Sequence, residues 1–196
     1  MTLSPEVPTM EMAVTEDRLL GGRVRLMQPQ RGYRVAVDAV LLAAAIEARP
    51  GERILDIGCG KAFLLYDFLK VIPDAEIYGI DISPYAIANS KEEIRDRLQV
   101  GSATALPWPD DHFDLVISIT TLHNLHAYDL DLALREMERV GKANKYLCVE
   151  SYRNEQEKAN LLYWQVTCEA FNTPKEWQWW FEHTGYSGDH SFIYFE

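Results

Sequence analysis

One short segment limits the folds open to this chain more than any other. Residues 53–57 (RILDI) form an apolar run of strand length, and Gly58-Cys59-Gly60 follows it directly. Two glycines one residue apart permit a tight turn and let a ligand approach the backbone closely. A helical pattern then begins at Phe63, and the N–H groups at the start of that helix face the same space. This strand–turn–helix unit predicts a parallel sheet with a ligand at its carboxyl edge.

The rest of the chain repeats the alternation of strand and helix. Runs typical of buried strands occupy residues 53–57, 76–81, 99–102, 113–119, 145–150 and 191–195, and helical patterns lie between most of them. This order predicts an α/β fold: a doubly wound, mostly parallel sheet of six or seven strands, with order 3-2-1-4-5 across its main body and helices on both faces. Residues 1–16 contain two prolines and are expected to be a flexible leader, and residues 17–196 a single domain.

Composition excludes several classes of protein. The longest apolar run, residues 39–46, has eight residues, whereas a membrane helix needs about twenty. The N-terminus lacks the basic and apolar regions of a secretory signal, so a cytoplasmic protein is expected. Nineteen basic and thirty acidic side chains give a net charge of −11, which makes nucleic acid an unfavourable partner for most of the surface.

One basic stretch departs from this balance. Residues 18–34 hold five arginines and no acid; they are Arg18, Arg23, Arg25, Arg31 and Arg34. A solvated surface and a phosphate contact both remain open. The cysteines Cys59, Cys148 and Cys168 are widely spaced and indicate neither a disulfide framework nor a zinc site.

Two acids strengthen the interpretation of the glycine turn. Asp56 precedes the turn, and Asp81 ends the second strand, twenty-three residues after Gly58. A carboxylate at that position can accept both hydroxyls of a ribose. The alternative is a tight turn with a helix-capping acid. A nicotinamide dehydrogenase is disfavoured because its fingerprint needs a third glycine where this chain has Phe63.

The motifs LDIGCG, GIDIS, GSATALPW and FDLVISITTLHNL together resemble a class I S-adenosylmethionine (SAM)-dependent methyltransferase of the small-molecule "type 11" group, over about residues 50–196. The resemblance implies a Rossmann-like methyltransferase fold. It implies that Gly58, Cys59 and Gly60 hold the methionine part of SAM and that Asp81 holds the ribose. By the same resemblance Ile82 packs on the adenine. Ser102 and Ala103 are expected at the adenine edge, and Asp56 and Thr120 beside the cofactor.

Two positions depart from the family pattern. The family loop usually reads Gly-x-Gly-x-Gly, and this one ends in Ala62, which is a small residue. The family usually has Asp where this chain has Ser102. Serine accepts a hydrogen bond from the adenine amino group without a charge, which weakens that contact.

The segment before the first strand resembles a different group. Residues 16–45, EDRLLGGRVRLMQPQRGYRVAVDAVLLAAA, are similar to the N-terminal part of bacterial methyltransferases that modify adenine N6 in tRNA. That resemblance implies that Tyr33, Arg34 and Asp38 close over the SAM pocket, although Asp38 is equally a plain helix N-cap. The Asn-Pro-Pro motif that this family uses for catalysis is missing, since residues 118–125 read SITTLHNL. A chimera of two methyltransferases is one hypothesis.

The chemistry is expected where the fourth strand ends. His123 is the candidate base because imidazole titrates near neutral pH, and a histidine packed at the mouth of the sheet is the alternative. The aromatic residues of the last third indicate either core packing or a stacking wall for a planar or sugar substrate.

The sequence therefore predicts an enzyme that transfers methyl groups from SAM, with S-adenosylhomocysteine as product, to a small molecule that could be a sugar or another metabolite. Neither a metal, a membrane nor a nucleic acid is expected as a partner. Adenine-N6 methylation of tRNA and a SAM-binding scaffold without turnover remain as alternatives.

Overall fold

The computed structural model describes residues 14–19, 24–29 and 50–195. The chain divides into two compact units, residues 1–47 and 48–196. In the first unit, β1 (Val14–Leu19) and β2 (Val24–Pro29) form an antiparallel pair that the sequence patterns did not predict. The pairing places Arg18 opposite Arg25. The proposed pocket residues Tyr33 and Asp38 lie outside the described residues, and the single domain expected from residue 17 stays a prediction.

The second unit contains six parallel strands. They are β3 (Arg53–Ile57), β4 (Glu76–Asp81), β5 (Leu98–Val100), β6 (Phe113–Ile119), β7 (Gly141–Glu150) and β8 (Asp189–Ile193). Their order across the sheet is β5-β4-β3-β6-β7-β8. This confirms the predicted doubly wound parallel sheet and its 3-2-1-4-5 body. A sixth parallel strand extends that body, and β8 pairs with β7.

Five helices connect the strands. They are α1 (Phe63–Val71), α2 (Pro84–Ala88), α3 (Ala127–Val140), α4 (Glu155–Trp164) and α5 (Pro174–Thr184). The Ser83 hydroxyl caps α2, and Thr173 and Glu176 form a reciprocal capping box at α5, the start signals that the sequence carries. In the part of the chain that the structure describes, no helix is long and apolar enough to cross a bilayer.

The main core lies on the face of the sheet covered by α3 and α5. Leu55 and Ile57 of β3 pack there with Met137 of α3 and Trp177 of α5. The chain runs from β3 outward to β4 and β5 on one side of the sheet, and then returns to place β6 on the other side of β3. The strand order therefore reverses between β3 and β6. Such a reversal opens a crevice at the carboxyl edge, where doubly wound proteins bind their ligands.

Candidate functional site

The glycine turn after β3 folds back onto β4. The N–H groups of Gly58 and Cys59 both donate to the carbonyl oxygen of Ile80, at 2.8 and 3.1 Å. Gly58 and Gly60 have φ angles of +78° and +54°, in the left-handed region that glycine enters at little cost. Ala62 also has a positive φ, of 56°, so alanine at this departure from the family loop costs roughly 1–2 kcal/mol.

The two glycines face different surroundings. A Cβ atom built on Gly58 would lie 2.2 Å from the Oγ1 and Cγ2 atoms of Thr121, so Gly58 allows the turn to pack against the end of β6. A Cβ atom built on Gly60 would meet nothing within 4 Å. Gly60 therefore faces open space, and it is the position where the backbone of the turn is accessible to a ligand.

Asp81 connects the glycine turn to the start of α2. Its Oδ2 accepts from the Gly60 N–H and its Oδ1 from the Ser83 N–H, both at 2.8 Å. A carboxylate offers about four lone-pair sites, so each oxygen keeps capacity for one ribose hydroxyl. The next side chain, Ile82, is 75% exposed. It offers the apolar surface on which a base could pack.

Asp56 lies buried beneath the turn. Burial, with a smaller effect from the charge of Asp81, raises the pKa of its carboxyl group to about 7. Burial also raises the pKa of the Cys59 thiol, with further contributions from Asp56 and Asp81. The Cys59 thiol is therefore protonated and packs as a small apolar group.

The expected adenine edge follows β5. The Ser102 hydroxyl forms a 2.8 Å hydrogen bond with the Thr104 hydroxyl and accepts from the Thr104 N–H at 3.2 Å. It therefore holds the local turn together, in addition to any contact with a base. Ala103 packs against the main core cluster.

The end of β6 completes the crevice. Thr120 is exposed and has a φ of 51°, and its N–H donates to the carbonyl oxygen of Cys148. The Thr121 hydroxyl donates to the carbonyl oxygens of Ile119 and Gly58, at 3.0 and 3.3 Å. These bonds fix the β6 end against the glycine turn. A non-glycine residue at positive φ is a strained position of the kind that concentrates at functional sites.

His123 is fully buried. Its Nδ1 accepts from the Glu150 N–H at 3.4 Å, and its Nε2 faces Glu150 Oε2, also at 3.4 Å. Burial lowers the pKa of His123 to about 4, so the imidazole is neutral. The proton must be on Nε2, because Nδ1 is the acceptor.

Sequence reasoning did not identify the segment that covers His123. The Glu169 and Ala170 N–H groups donate to the His123 carbonyl oxygen, and the Gln165 amide donates to Glu150 Oε1 at 2.5 Å. Burial raises the pKa of the Glu150 carboxyl group, and the Gln165 bond opposes that rise. The sequence signal for this contact is the polar residue Gln165, which directly follows α4.

The structure thus brings most of the candidate residues to one edge of the sheet. Asp56, Gly58, Cys59, Gly60 and Asp81 lie in or beside the turn, with Thr120 at the neighbouring strand end. The open face of Gly60, the spare capacity of Asp81 and the exposed Ile82 fit a nucleoside-bearing cofactor such as SAM. In the described residues, no group of three or more His, Cys, Asp or Glu side chains could hold a metal ion.

Comparison with known proteins shows which family the sequence matches. A family model described as a methyltransferase domain matches residues 48–185. A ubiquinone/menaquinone biosynthesis C-methyltransferase from Shewanella sp. (strain ANA-3) is 34% identical over 125 residues, which is 59% of this chain and 49% of that protein. A demethylmenaquinone methyltransferase from Symbiobacterium thermophilum is 33% identical over 112 residues, which is 53% of this chain and 44% of that protein. The chain thus spans about half the length of these relatives.

Solved structures give the same result for the fold. The YcgJ protein of Bacillus subtilis superposes with a TM-score of 0.63 at 25% identity, covering 75% of this chain and 67% of that one. The [4+2]-cyclase SpnF gives a TM-score of 0.64 at 22% identity, covering 80% and 59%. At that identity the likeness to SpnF extends to the fold alone, and a cyclase on this fold illustrates that fold does not decide function.

Proposed function

The chain belongs to the methyltransferase-domain family, and on that premise we propose that it transfers a methyl group from SAM to the hydroxylated ring of a small molecule of the quinol type. One observation supports SAM as the cofactor. Gly60 faces open space beside the Asp81 carboxylate, which accepts hydrogen bonds from two backbone N–H groups. The choice of a quinol is supported by the relatives, whose names include C-methyltransferases of ubiquinone and menaquinone biosynthesis.

The proposal gives each residue of the site a task. When bound, SAM supplies an electrophilic methyl group on a sulfonium. The turn from Gly58 to Gly60 holds the methionine part, Asp81 accepts the ribose hydroxyls, and Ile82 packs on the adenine. Ser102 and Ala103 border the base. The buried Asp56 carboxyl group, in its ionised form, would stabilise the positive charge of the bound cofactor.

We keep His123 as the proposed proton acceptor, and its environment gives the proposal a testable form. The lone pair of the neutral imidazole is on Nδ1, which accepts from the Glu150 N–H, so His123 can take a proton only when that bond opens. The Glu150 carboxyl group beside Nε2 would then face the charged ring. His123 Nδ1 accepts from the Glu150 N–H, so His123 also holds the end of β7 in place, whereas Nε2 and Glu150 Oε2 lie 3.4 Å apart without a hydrogen bond. A base and a structural residue differ in what His123→Gln changes: the pH profile of kcat in the first case, the melting temperature and SAM affinity in the second.

The function is tested by methyl transfer from SAM labelled with tritium in the methyl group. The acceptors are an air-free naphthohydroquinone, a simple phenol and a hexose, each with the full chain and with Asp81→Ala. We expect label in the hydroquinone, and at least a tenfold loss with the variant at subsaturating SAM because hydrogen bonds to a charged group are lost. Transfer only to the hexose would overturn the quinol proposal. SAM binding without transfer to any acceptor would favour a scaffold without turnover.

A further inference from the structure

A second cavity lies outside the cofactor crevice. It is a cleft of about 210 Å³ between the start of α3, α5 and the segment before α5, lined by Ala127, Leu130, Glu169, Ala170, Phe171, Asn172 and Trp180. We propose that this cleft binds the methyl acceptor as an uncharged, hydroxylated one- or two-ring molecule. The inference rests on the proposed methyl transfer and adds the place and the groups that recognise the acceptor.

The Asn172 side chain is the first argument. Its Nδ2 is buried and has no hydrogen-bond partner. Its backbone is fully engaged, because the N–H donates to Ala170 at 3.0 Å and the carbonyl oxygen accepts from the Ser151 hydroxyl at 2.9 Å. An unsatisfied buried donor lowers stability. Asn172 lines the cleft with its backbone fixed, and an unpartnered side-chain donor at that position suits a ligand oxygen.

The remaining lining sets the chemical class. Phe171 and Trp180 supply aromatic surface and Leu130 an aliphatic side chain, which together suit a flat ring. Glu169 is half exposed and its Oε2 lies 3.5 Å from His126 Nδ1. A carboxylate there accepts from a ligand hydroxyl and repels an anion. The cleft therefore suits a neutral ring with one oxygen that accepts and one hydroxyl that donates.

Size and position agree with an acceptor. Pockets for drug-sized ligands have volumes of roughly 300–1,000 Å³, so this cleft is too small for a nucleoside cofactor and suits one or two rings. Its walls are attached to the carboxyl ends of β6 and β7, since Glu169 and Ala170 donate to the His123 carbonyl oxygen and Asn172 accepts from Ser151. The cleft and the glycine turn therefore lie at the same edge of the sheet.

The test uses the full chain labelled with ¹⁵N and titrated with 1-naphthol as an air-stable hydroxylated ring. Asn172→Ala removes the unpartnered amide, and Ala127→Trp fills the cleft from the exposed first turn of α3. Asn144→Ala is the matched control, because the Asn144 amide is already bonded to the carbonyl oxygen of Asp114 at 3.2 Å. SAM binding is measured on every variant by calorimetry.

We expect 1-naphthol to shift the Asn172 side-chain amide and the Trp180 indole signals. Asn172→Ala and Ala127→Trp should each weaken binding at least fivefold, and Asn144→Ala should not. Asn172→Ala should leave the melting temperature unchanged or higher, because no bond is lost, which separates a ligand-binding amide from a structural one. Unchanged naphthol binding in Asn172→Ala, with SAM binding intact, would overturn the proposal that this cleft binds the acceptor and would leave the proposed function standing. Absence of SAM binding in the parent chain would overturn the proposed function.

Discussion

The Asp56 carboxyl group shows how one buried residue couples cofactor binding to pH. Its pKa of about 7 means that near neutrality about half of the molecules carry a proton there. A cationic ligand nearby favours the ionised form, so binding SAM should release that proton. The Asp56 carboxyl group of the free protein therefore has to lose its proton before SAM binds in the favourable, ionised state. It loses the proton more readily as the pH rises.

We predict that SAM affinity rises about tenfold between pH 6 and pH 8, because linkage allows at most one proton per binding event at this group. Calorimetry in buffers of different ionisation enthalpy measures both the affinity and the proton released. In Asp56→Asn the part of the pH dependence due to this group should disappear. A pH profile identical in the parent and in Asp56→Asn would contradict the assignment.

At the residue scale, the sequence predicted which residues belong to the site better than it predicted the contacts of their side chains. The spacing of Asp81 after Gly58 identified the acid correctly as a neighbour of the turn, because the two strands are adjacent and parallel. Its bonds to the Gly60 and Ser83 N–H groups depend on how the turn curls, which no spacing reveals. A histidine packed at the mouth of the sheet was one of the two alternatives for His123, and the structure buries it. The segment that covers it lies more than forty residues later in the chain, and no local pattern predicts that contact.

At the scale of elements, the glycine turn has one structural glycine and one that faces the ligand space. Gly58 lies against Thr121, whereas Gly60 faces open space. The family resemblance implied that both glycines hold the cofactor. The contact with Thr121 indicates that Gly58 acts first on the packing of β3 against β6.

Gly58→Ala and Gly60→Ala form a matched pair that separates the two roles. We expect Gly58→Ala to lower the free energy of unfolding by roughly 2–5 kcal/mol, from positive φ and a steric clash. Gly60→Ala should cost only about 1–2 kcal/mol, yet weaken SAM binding at least tenfold. Urea unfolding and SAM titration of both variants measure these changes. Equal losses of stability in the two variants would contradict the assignment of a packing role to Gly58 and a ligand-facing role to Gly60.

The helix α4 is shorter than its pattern. The sequence pattern of residues 154–171 is helical, whereas the helix ends at Trp164. Gln165 leaves the helix with extended backbone and bonds to Glu150, and Thr167 bonds to Asn124 at 2.9 Å. These long-range polar bonds override local helical propensity, and single-sequence patterns do not contain them. By contrast, the buried strands and capped helices were predictable because their signals are local.

Gln165→Ala should destabilise the protein more at high pH than at low pH. Burial raises the pKa of Glu150 and the Gln165 amide lowers it, so the amide stabilises the ionised carboxylate. Its removal should cost about 1–3 kcal/mol at pH 8 and less at pH 5, because the ionised fraction of the carboxyl group falls as the pH is lowered. Thermal melts at both pH values measure this.

The control is Gln178→Ala, which removes an exposed bond to Glu182 on the surface of α5. That variant should change the melting temperature little at either pH. A loss for Gln165→Ala that is the same at pH 5 and pH 8 would mean that the amide does not act on the ionisation of Glu150.

At the scale of the whole molecule, charge disfavours a nucleic-acid acceptor. The net charge is −11, and two of the relatives are named as methyltransferases of ubiquinone/menaquinone biosynthesis and of demethylmenaquinone. Arg18 and Arg25 stand at paired positions of the β1–β2 hairpin, and Arg23, Arg31 and Arg34 lie outside the described residues. Long-range repulsion from the acidic surface should outweigh this local patch at low salt, where screening is weakest.

We therefore predict no salt-sensitive binding of unmodified tRNA at low ionic strength and no transfer of labelled methyl to it. Gel shift and filter binding measure the two quantities. A shift that weakens steeply as salt rises would reveal phosphate contacts and would favour the tRNA resemblance of residues 16–45 over the small-molecule proposal.

We propose that Gly60 and Asp81 form a SAM site at the carboxyl edge of the sheet, where the strand order reverses between β3 and β6. Calorimetric titration of the full chain with SAM, S-adenosylhomocysteine and NAD tests it most directly, with Asp81→Ala beside the parent. We expect one site for SAM and for S-adenosylhomocysteine, no heat with NAD, and a loss of about 1.5–3 kcal/mol in the free energy of SAM binding in the variant, the range for hydrogen bonds to a charged group. Absence of SAM binding by the folded parent chain, or equal SAM affinity in Asp81→Ala, would contradict it.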